Sequence, residues 1–380
     1  MKVKKIVIFL HKNKQEKIRE KLNKINKWIN ICKKKILIRG ILKSSTKPKI
    51  TALITVYNSY NCVNTAVKSV QNQLLSDIEI LIIDDGSNDN SLTIIKKLQE
   101  EDKRIKIIKN KKNRGALYSK SIGILKSIGK YIMLLDSDDL FANENILNVC
   151  FNEGIQNDID IIEFSGFNLK SKYFKLNRIP KIPLYLRYKH HNEFVKQPEL
   201  SSFIYEKRGN HKYKLIDGFL WGKCVKSSIF KMSLKIIGHS IYHQKINYGD
   251  DRIINFILFK VANSFKYIQE YGIIYNYNSK SITHLNKYIK NCHDELININ
   301  SIYNYTKNTK ESEIAAFEII HRWYFIIFPG LNFDNFKSLN ILINQMLSNN
   351  YISDFFKFKL LFFSRRLNNS KRFRLKRKTV

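Results

Sequence analysis

The feature that most constrains the fold is an alternation of apolar runs and helical periods between residues 50 and 135. Predominantly apolar runs occur at Ile50–Val56, Ile78–Ile83, Ile105–Ile108 and Tyr131–Leu135. Apolar residues at helical spacing separate these runs, at residues 63–70, 92–98 and 116–127. Strands that are apolar throughout must be covered on both faces, and their alternation with helices favours parallel pairing. The sequence therefore predicts an α/β fold with a mostly parallel sheet and flanking helices.

Polar residues follow three of the four predicted strands. Tyr57 and Asn58 follow the first strand, residues 84–85 (Asp-Asp) close the second, and residues 136–139 (Asp-Ser-Asp-Asp) close the fourth. Ligands of open parallel sheets bind beyond the carboxyl ends of the strands. Clustered carboxylates repel one another unless a cation lies among them, and Mg²⁺ or Mn²⁺ prefers such oxygen ligands. The alternative is a solvated Asp-rich turn, with Asp139 capping the next helix.

The charge balance points to anionic partners. The chain has 67 Lys and Arg against 32 Asp and Glu, a formal net charge of +35. Such an excess favours nucleic acid, anionic lipid or phosphate-bearing substrates, although a lysine-rich genome would write lysine at many surface positions. The five cysteines are scattered and form no C-x-x-C pair, which argues against a disulfide framework or zinc site and favours a reducing compartment. No uncharged apolar run is long enough to predict a membrane-spanning helix.

Composition divides the chain into three predicted regions. Residues 1–47 hold many lysines, and their apolar residues Ile18, Leu22, Ile25, Ile29 and Cys32 form one stripe of a basic amphipathic helix. Residues 48–290 form the α/β domain, and residues 291–380 form a helical, aromatic and basic region. That last region interleaves phenylalanines with basic residues and closes with KRFRLKRKTV. It suits a lipid surface, nucleic-acid stacking, or a core extension with a solvated tail.

Several segments together resemble one enzyme family. ITALITVYNSYNCVNTAVKSVQNQ (50–73), DIEILIIDDGSNDNS (77–91) and NRGALYSKSIGILKSIGKYIMLLDSDD (113–139) are similar to successive blocks of the inverting family 2 glycosyltransferases of the GT-A fold. The order and spacing of the blocks make the resemblance specific over about residues 49–150. Two later pieces, WGKCVKSSIF (221–230) and GDDRIINF (249–256), are also similar to family segments. The resemblance implies a GT-A type, Rossmann-like sheet.

The resemblance implies a nucleotide-sugar site at the strand ends. Tyr57 and Asn58 would lie by the base and ribose, and Asp85 would hydrogen-bond the base edge while Asp84 supports its turn. Asp136 would contact the ribose or a metal-bound water. Nearby, Lys120 stands where the family often carries Arg close to the diphosphate. Ser121 replaces the usual Asn of that block, which leaves its contact undefined.

The resemblance also implies the metal, the base and the acceptor pocket. Asp138 would be the main ligand of Mn²⁺ or Mg²⁺, with Asp139 beside it and His284 as a further metal or diphosphate contact. Asp251 matches the catalytic base, and Asp250 stands where Glu is usual. The acceptor pocket would have Trp221 as a wall.

Each of these assignments has a structural alternative. Asp250 could be the N-cap of a helix that runs from about Arg252, with Asp251 favoured in the first turn by the helix dipole. Trp221 could be an ordinary core aromatic residue, and His284 an ordinary surface or packing residue.

The expected function is a metal-dependent inverting transfer of a sugar from a nucleotide diphosphate, with UDP as the expected nucleotide. The acceptor would be a hydroxyl of a surface glycan or glycolipid, such as lipopolysaccharide or capsule. The expected location is cytoplasmic, peripheral on the inner face of an anionic membrane. The alternative is a nucleic-acid or polyanion-binding protein driven by its positive charge.

Overall fold

The computed structural model describes most of the chain from residue 47 onward. The described residues are 47–169, 194–196, 205–208, 212–215, 219–276, 288–322, 327, 333–350 and 352–369. The predicted N-terminal helix, His284 and the last eleven residues of the basic tail lie outside this part of the chain. Residues Pro48–Val380 form one compact unit.

The four predicted strands form one half of a nine-stranded sheet. They are β1 (Ile50–Val56), β2 (Ile78–Asp84), β3 (Ile105–Lys109) and β4 (Tyr131–Asp136), and they pair in parallel in the order β3-β2-β1-β4. The α/β class and the parallel pairing predicted from the apolar runs are confirmed.

The second half of the sheet is mixed in direction. The order continues from β4 through β10 (Lys223–Lys226), β6 (Ile161–Leu169) and β11 (Ser264–Asn276) to β5 (Leu140–Phe141). β10 is antiparallel to both β4 and β6, whereas β11 is parallel to β6. Three short strands are described between β6 and β10: β7 (Phe194–Lys196), which pairs with β11, and the hairpin of β8 (Tyr205–Arg208) and β9 (Lys212–Leu215).

Helices cover both faces of the sheet. In chain order those of the described residues are α1 (Val63–Gln71), α2 (Ser91–Glu101), α3 (Ala116–Lys126), α4 (Ile146–Gln156), α5 (Ser227–Ile237), α6 (His239–Tyr242), α7 (Asp250–Val261), α8 (Tyr288–Thr306), α9 (Ser312–Arg322), α10 (Phe333–Leu347) and α11 (Asp354–Asn369). No helix among the described residues is both long and apolar enough to cross a bilayer.

Alternate residues of β1 supply two hydrophobic clusters, one on each face of the sheet. Ile50, Ala52 and Ile54 belong to the cluster that includes α1, α2 and α4. Leu53 belongs to the other, which includes α3, α5 and α7 and continues without interruption into α8–α11. The C-terminal helices therefore share a core with the face of the sheet that carries α3 and α7.

Candidate active site

The polar residues after β1, β2 and β4 meet at one edge of the sheet. Val56 is paired with Asp84, and Thr55 with Asp136, so the three strands end level with one another. This level ending follows from parallel pairing in register, which brings the carboxyl ends of all strands to the same edge. The residues that the sequence placed after separate strands are thus neighbours.

Two loops fasten together to form one side of this edge. The backbone N–H of Asn58 donates to Ser87 Oγ at 3.0 Å, and the N–H of Asn88 donates back to Asn58 Oδ1 at 2.9 Å. Asn58 has a φ of 50°, in the left-handed region that Asn tolerates better than most side chains. Tyr57 beside it is exposed. The loop after β1 is therefore fixed by its backbone and by Asn58, which leaves the Tyr57 ring at the surface.

Asp84 and Asp85 hold the neighbouring loops in place. Asp84 Oδ1 accepts from the N–H of Ser87 at 3.1 Å, as expected for a residue that supports the turn. Asp85 accepts three hydrogen bonds of 2.8 Å, from Asn110 Nδ2, the N–H of Arg114 and the N–H of Gly115. Both residues are buried. The Asp85 carboxylate thus joins the turn after β2 to the loop that leads into α3, and its contact with a base remains a prediction.

Lys120 lies at the centre of the carboxylates. Its Nζ is 2.5 Å from Asp251 Oδ1, 2.9 Å from Asp250 Oδ2 and 3.9 Å from Asp136 Oδ1. The Lys120 side chain is buried on α3, one turn into the helix, and faces the first turn of α7. A protein cation therefore lies among the acids of this edge, and it joins the end of β4 to Asp250 and Asp251.

The charged groups of this cluster shift one another's pKa values. Burial by itself would lower the pKa of Lys120, but Asp250, Asp251 and Asp136 raise it well above its ordinary value. Burial raises the pKa of Asp250 to about 7, with Lys120 opposing the change and Asp251 adding to it. The ammonium therefore stays charged, while Asp250 can hold a proton near neutral pH.

The start of α7 excludes one of the structural alternatives. The N-cap is Gly249, with a φ of 70°, and Asp250 and Asp251 are the first two residues of the helix. The interpretation of Asp250 as the N-cap is therefore wrong. Asp251 Oδ2 instead accepts from the N–H of Leu220 at 3.3 Å, so each of its carboxylate oxygens faces a separate element.

Asp138 and Asp139 lie in the turn between β4 and β5. The N–H of Asp139 donates to the Asp136 carbonyl at 3.0 Å, and its Oδ1 accepts from the N–H of Asn276 at 2.9 Å. The next helix begins only at Ile146, so Asp139 does not cap it. The second carboxylate oxygen of Asp139, Oδ2, is buried and accepts no hydrogen bond from the described residues. Burial raises the pKa of Asp139 well above its ordinary value, and the negative charges of Asp136 and Asp138 raise it further, because both disfavour the ionised carboxylate.

The carboxylate oxygens of this turn are of the chemical type that hard divalent cations bind. Asp136, Asp138 and Asp139 supply carboxylate oxygens, which Mg²⁺ and Mn²⁺ prefer. Within the described residues, however, no group of three or more His, Cys, Asp or Glu side chains is arranged to hold a metal by protein ligands alone. Water or phosphate oxygens would have to complete the coordination, as is usual for Mg²⁺. The predicted ligand His284 lies outside the described residues.

Trp221 belongs to a stack of aromatic rings beside the acids. Its ring stacks on Phe219 at 4.9 Å between centroids and on Tyr275 at 6.0 Å. Phe219 precedes Leu220 in the sequence, and the N–H of Leu220 donates to Asp251. Tyr275 precedes Asn276, whose N–H donates to Asp139. Phe219 is exposed and Trp221 is half-buried. The stack lies beside Asp251 and Asp139, since residues adjacent to Phe219 and Tyr275 in sequence donate to these two acids.

Comparisons with known proteins identify the domain. The family model described as glycosyl transferase family 2 matches residues 51–219. These residues of the chain are therefore similar to a family 2 glycosyltransferase domain. The matched range includes β2–β4, Lys120 and all of β1 except its first residue, and it ends before Trp221, Asp250 and Asp251. Asp250 and Asp251 are joined to the matched residues through their contacts with Lys120.

Curated relatives agree with this family but differ in extent. A glycosyltransferase of Haemophilus influenzae is 39% identical over 99 residues, which cover 26% of this chain and 40% of that protein. A glycosyltransferase of Rickettsia conorii is 41% identical over 128 residues, 33% of this chain and 21% of that protein. Both matches span less than two thirds of the relative. A cholesterol galactosyltransferase of Borreliella burgdorferi is 27% identical over 296 residues, 75% of this chain and 76% of that protein.

The fold of most of the chain resembles a solved glycosyltransferase structure. The crystal structure of residues 1–349 of Staphylococcus aureus TarS in complex with UDP-GlcNAc superposes with a TM-score of 0.60. The superposition covers 84% of this chain and 88% of the TarS chain at 13% sequence identity. The GT-A fold expected for the family 2 domain is thereby confirmed.

Helix α8 supports the active-site segment in a way that the sequence did not reveal. Asp294 Oδ2 accepts from the N–H of Asn247 at 2.9 Å and of Tyr248 at 3.1 Å, and Asn298 Nδ2 donates to the Tyr248 carbonyl at 3.1 Å. A side chain at Gly249 would collide with Asn298. These contacts fix the residues that immediately precede Asp250 and Asp251. The family blocks end before α8, and its own sequence indicated only a helix.

Replacing Asp294 with Ala is expected to lower sugar-transfer kcat about tenfold or more while the donor KM changes less. Two partly buried backbone N–H groups lose their acceptor, at up to about 1–3 kcal/mol each, and the segment before Asp250 loosens. The matched control is Asp334→Ala, an acid in the first turn of α10. Steady-state kinetics below the melting temperature measure both variants. An equal loss in both, or full activity of Asp294→Ala, would contradict the positioning role.

Proposed function

We propose that this chain is a metal-dependent inverting glycosyltransferase that uses a UDP-linked sugar and a hydroxyl of a surface glycan or glycolipid as acceptor. The observation that carries the proposal is the Lys120 cluster, which joins Asp136 at the tip of β4 to Asp250 and Asp251 at the start of α7. The TarS structure of similar fold is a complex with UDP-GlcNAc, which supports a UDP-sugar donor. The Borreliella relative is named for a lipid acceptor, cholesterol, which supports a lipid-linked one.

The proposed reaction is a single displacement at the anomeric carbon. Asp251 takes the proton of the acceptor hydroxyl, the acceptor oxygen bonds to the anomeric carbon, and the bond from that carbon to the diphosphate oxygen breaks. The configuration at the anomeric carbon is inverted, since no enzyme-bound sugar is formed. Asp251 can act as the base because Lys120 and the N–H of Leu220 hold its two oxygens in fixed positions.

The remaining residues bind and orient the two substrates. Tyr57, Asn58 and Asp85 line the donor side, where the loops after β1 and β2 are fastened together. The acceptor side is bordered by the aromatic stack around Trp221, and stacked rings are surfaces on which sugar rings or apolar lipid groups pack. A divalent cation held by Asp138, with Asp136 and Asp139 nearby, would stabilise the negative charge that builds up on the departing diphosphate.

A donor screen tests the proposal directly. Purified protein is incubated with UDP-, GDP- and CMP-sugars with Mn²⁺, and release of the free nucleotide is measured. We expect release from UDP-sugars and little from the other two. Failure to turn over any of these donors, together with salt-sensitive binding of DNA or RNA, would instead support the polyanion-binding alternative.

Replacing Asp138 with Asn is expected to reduce metal-dependent UDP release at least about a hundredfold, because a charged oxygen ligand of the cation is lost. The matched control is Asp77→Asn, an exposed acid at the opposite end of the sheet. Manganese titrations of both variants separate weaker metal binding from loss of the fold. Full activity with an unaltered manganese dependence in Asp138→Asn would refute the metal role.

A further inference from the structure

The C-terminal helix α11 carries two apolar faces. Phe356, Leu360 and Phe363 are buried and join the hydrophobic core that includes α8. Phe358, Leu361 and Phe362 are 68%, 40% and 49% exposed. Since an α-helix turns about 100° per residue, Leu361, Phe358 and Phe362 lie within one third of its circumference, on the side away from the core. These three residues are called the outer face of α11.

The surroundings of the outer face are basic. Lys357 and Lys359 lie on its two flanks, and Arg365 lies at its C-terminal end. The helix has a single acid, Asp354, in its first turn. The sequence that follows the helix, residues 371–380, contains six Lys and Arg and no acid. Exposed aromatic and aliphatic groups are thus framed by positive charge.

We propose that the outer face of α11 docks on an anionic phospholipid bilayer, with Phe358, Leu361 and Phe362 in the acyl boundary and the flanking lysines at the head groups. Lysine side chains beside an apolar stripe keep their ammonium groups level with phosphate, which is the pattern of helices that lie in a membrane interface. This inference deepens the proposed function, on which it rests for its lipid-linked acceptor.

The charge of the chain favours a bilayer over a second copy of the protein. Two molecules with a formal net charge of +35 each repel one another, and the basic flanks of two outer faces would be brought together. An anionic bilayer instead attracts the same charge while it covers the apolar groups. The three apolar residues also form a continuous stripe, which suits a planar apolar phase.

Sedimentation with lipid vesicles tests the inference. Full-length protein is mixed with vesicles of phosphatidylcholine alone or with phosphatidylglycerol, and UDP release is measured in parallel without vesicles. We expect binding to the anionic vesicles. The double variant Phe358→Ser/Phe362→Ser should bind them at least about tenfold more weakly, since both side chains lose apolar contact with the lipid. Its UDP release in solution should be unchanged.

Two further variants separate the outer face from other sources of binding. The matched control is Ile128→Ser, an equally exposed apolar residue on the loop between α3 and β4, which should bind like the wild type. Removal of residues 371–380 should weaken binding, but less than the double variant does. Unchanged binding of the double variant, or complete loss on removal of the tail alone, would overturn the inference.

The remaining outcomes are equally decisive. If the double variant changes the oligomeric state and not vesicle binding, the outer face is a contact between copies, and the inference is wrong. If it binds DNA or RNA less well but vesicles normally, the occupant is nucleic acid. If the wild type releases UDP but does not bind anionic vesicles, the docking inference alone is overturned. If it binds the vesicles but does not release UDP, the proposed function alone is overturned.

Discussion

Replacing Asp251 with Asn is expected to lower the rate of sugar transfer about a thousandfold while UDP binding stays within a few-fold of wild type. The amide cannot take the proton of the acceptor hydroxyl, and a well-placed general base contributes roughly 10²–10⁴ in rate. Binding of UDP should persist because the loops after β1 and β2 do not depend on Asp251. The measurement is kcat for transfer, together with calorimetric titration of UDP.

The control for Asp251→Asn is Asp354→Asn, which removes an acid from the first turn of another helix, α11. A contribution to the helix dipole is worth only about 0.3–1 kcal/mol at an exposed site and should leave kcat unchanged. If Asp251→Asn also kept its kcat, Asp251 would be an ordinary first-turn residue, and the proton acceptor would have to be sought elsewhere.

Replacing Lys120 with Met is expected to have the second large effect, on both stability and activity. The substitution keeps most of the side-chain volume but leaves the buried Asp250 and the partly buried Asp251 without their cation. Removal of one partner from a buried ion pair costs about 3–5 kcal/mol. Transfer should fall at least about a hundredfold, since Asp251 loses the contact that holds it. Lys120→Arg, which keeps the charge, should retain much more of both properties.

The stability of Lys120→Met should depend on pH in a specific direction. Burial already raises the pKa of Asp250 to about 7, and Lys120 opposes that rise. Removal of the Lys120 ammonium therefore raises the pKa of Asp250 further. Unfolded Asp titrates near pH 4. Below that pH the carboxyl is protonated in both states, and the variant should differ least from wild type. Above pH 4, ionisation of Asp250 favours the unfolded state. The free energy of unfolding of Lys120→Met should therefore fall further below that of wild type as the pH rises past 7.

Thermal melts of wild type, Lys120→Met and Lys120→Arg between pH 4 and pH 9 measure this dependence. If the melting temperature of Lys120→Met lies below that of wild type by the same amount at every pH, the lysine acts by packing rather than by charge. A melting curve for Lys120→Arg as low as that of Lys120→Met would point to the same conclusion.

The first half of the sheet was predictable because its signal is local. Each strand from β1 to β4 is an apolar run that burial on both faces requires, and each intervening helix repeats its apolar residues at the helical period. The second half was not predictable in the same way. β10 has only four residues, and its place between β4 and β6 depends on antiparallel pairs with segments far away in sequence. Short strands of this kind carry too few residues to show a period.

The candidate site was predictable by residue type but not by contact. The family resemblance indicated Asp136, Asp250, Asp251 and Lys120 as functional residues, and it placed the metal ion at Asp138 and Asp139. The structure shows that Lys120 itself lies between three of them, across 131 residues of chain from Asp251. Asp294 carried no motif at all, because a buried acid that accepts backbone hydrogen bonds looks, in sequence, like any acid on a helix.

The α/β fold, the parallel pairing of β1–β4 and the acidic residues at the ends of β2 and β4 could be predicted from the sequence, since hydrophobic periodicity and strand ends are properties of adjacent residues. The folded chain was needed to show which acids meet Lys120, which segment Asp294 holds, and which phenylalanines of α11 face outward. Those outcomes depend on the packing of α3, α7, α8 and α11 over one face of the sheet. Burial and the distance between charges, which set both pKa and exposure, exist only once that packing has formed.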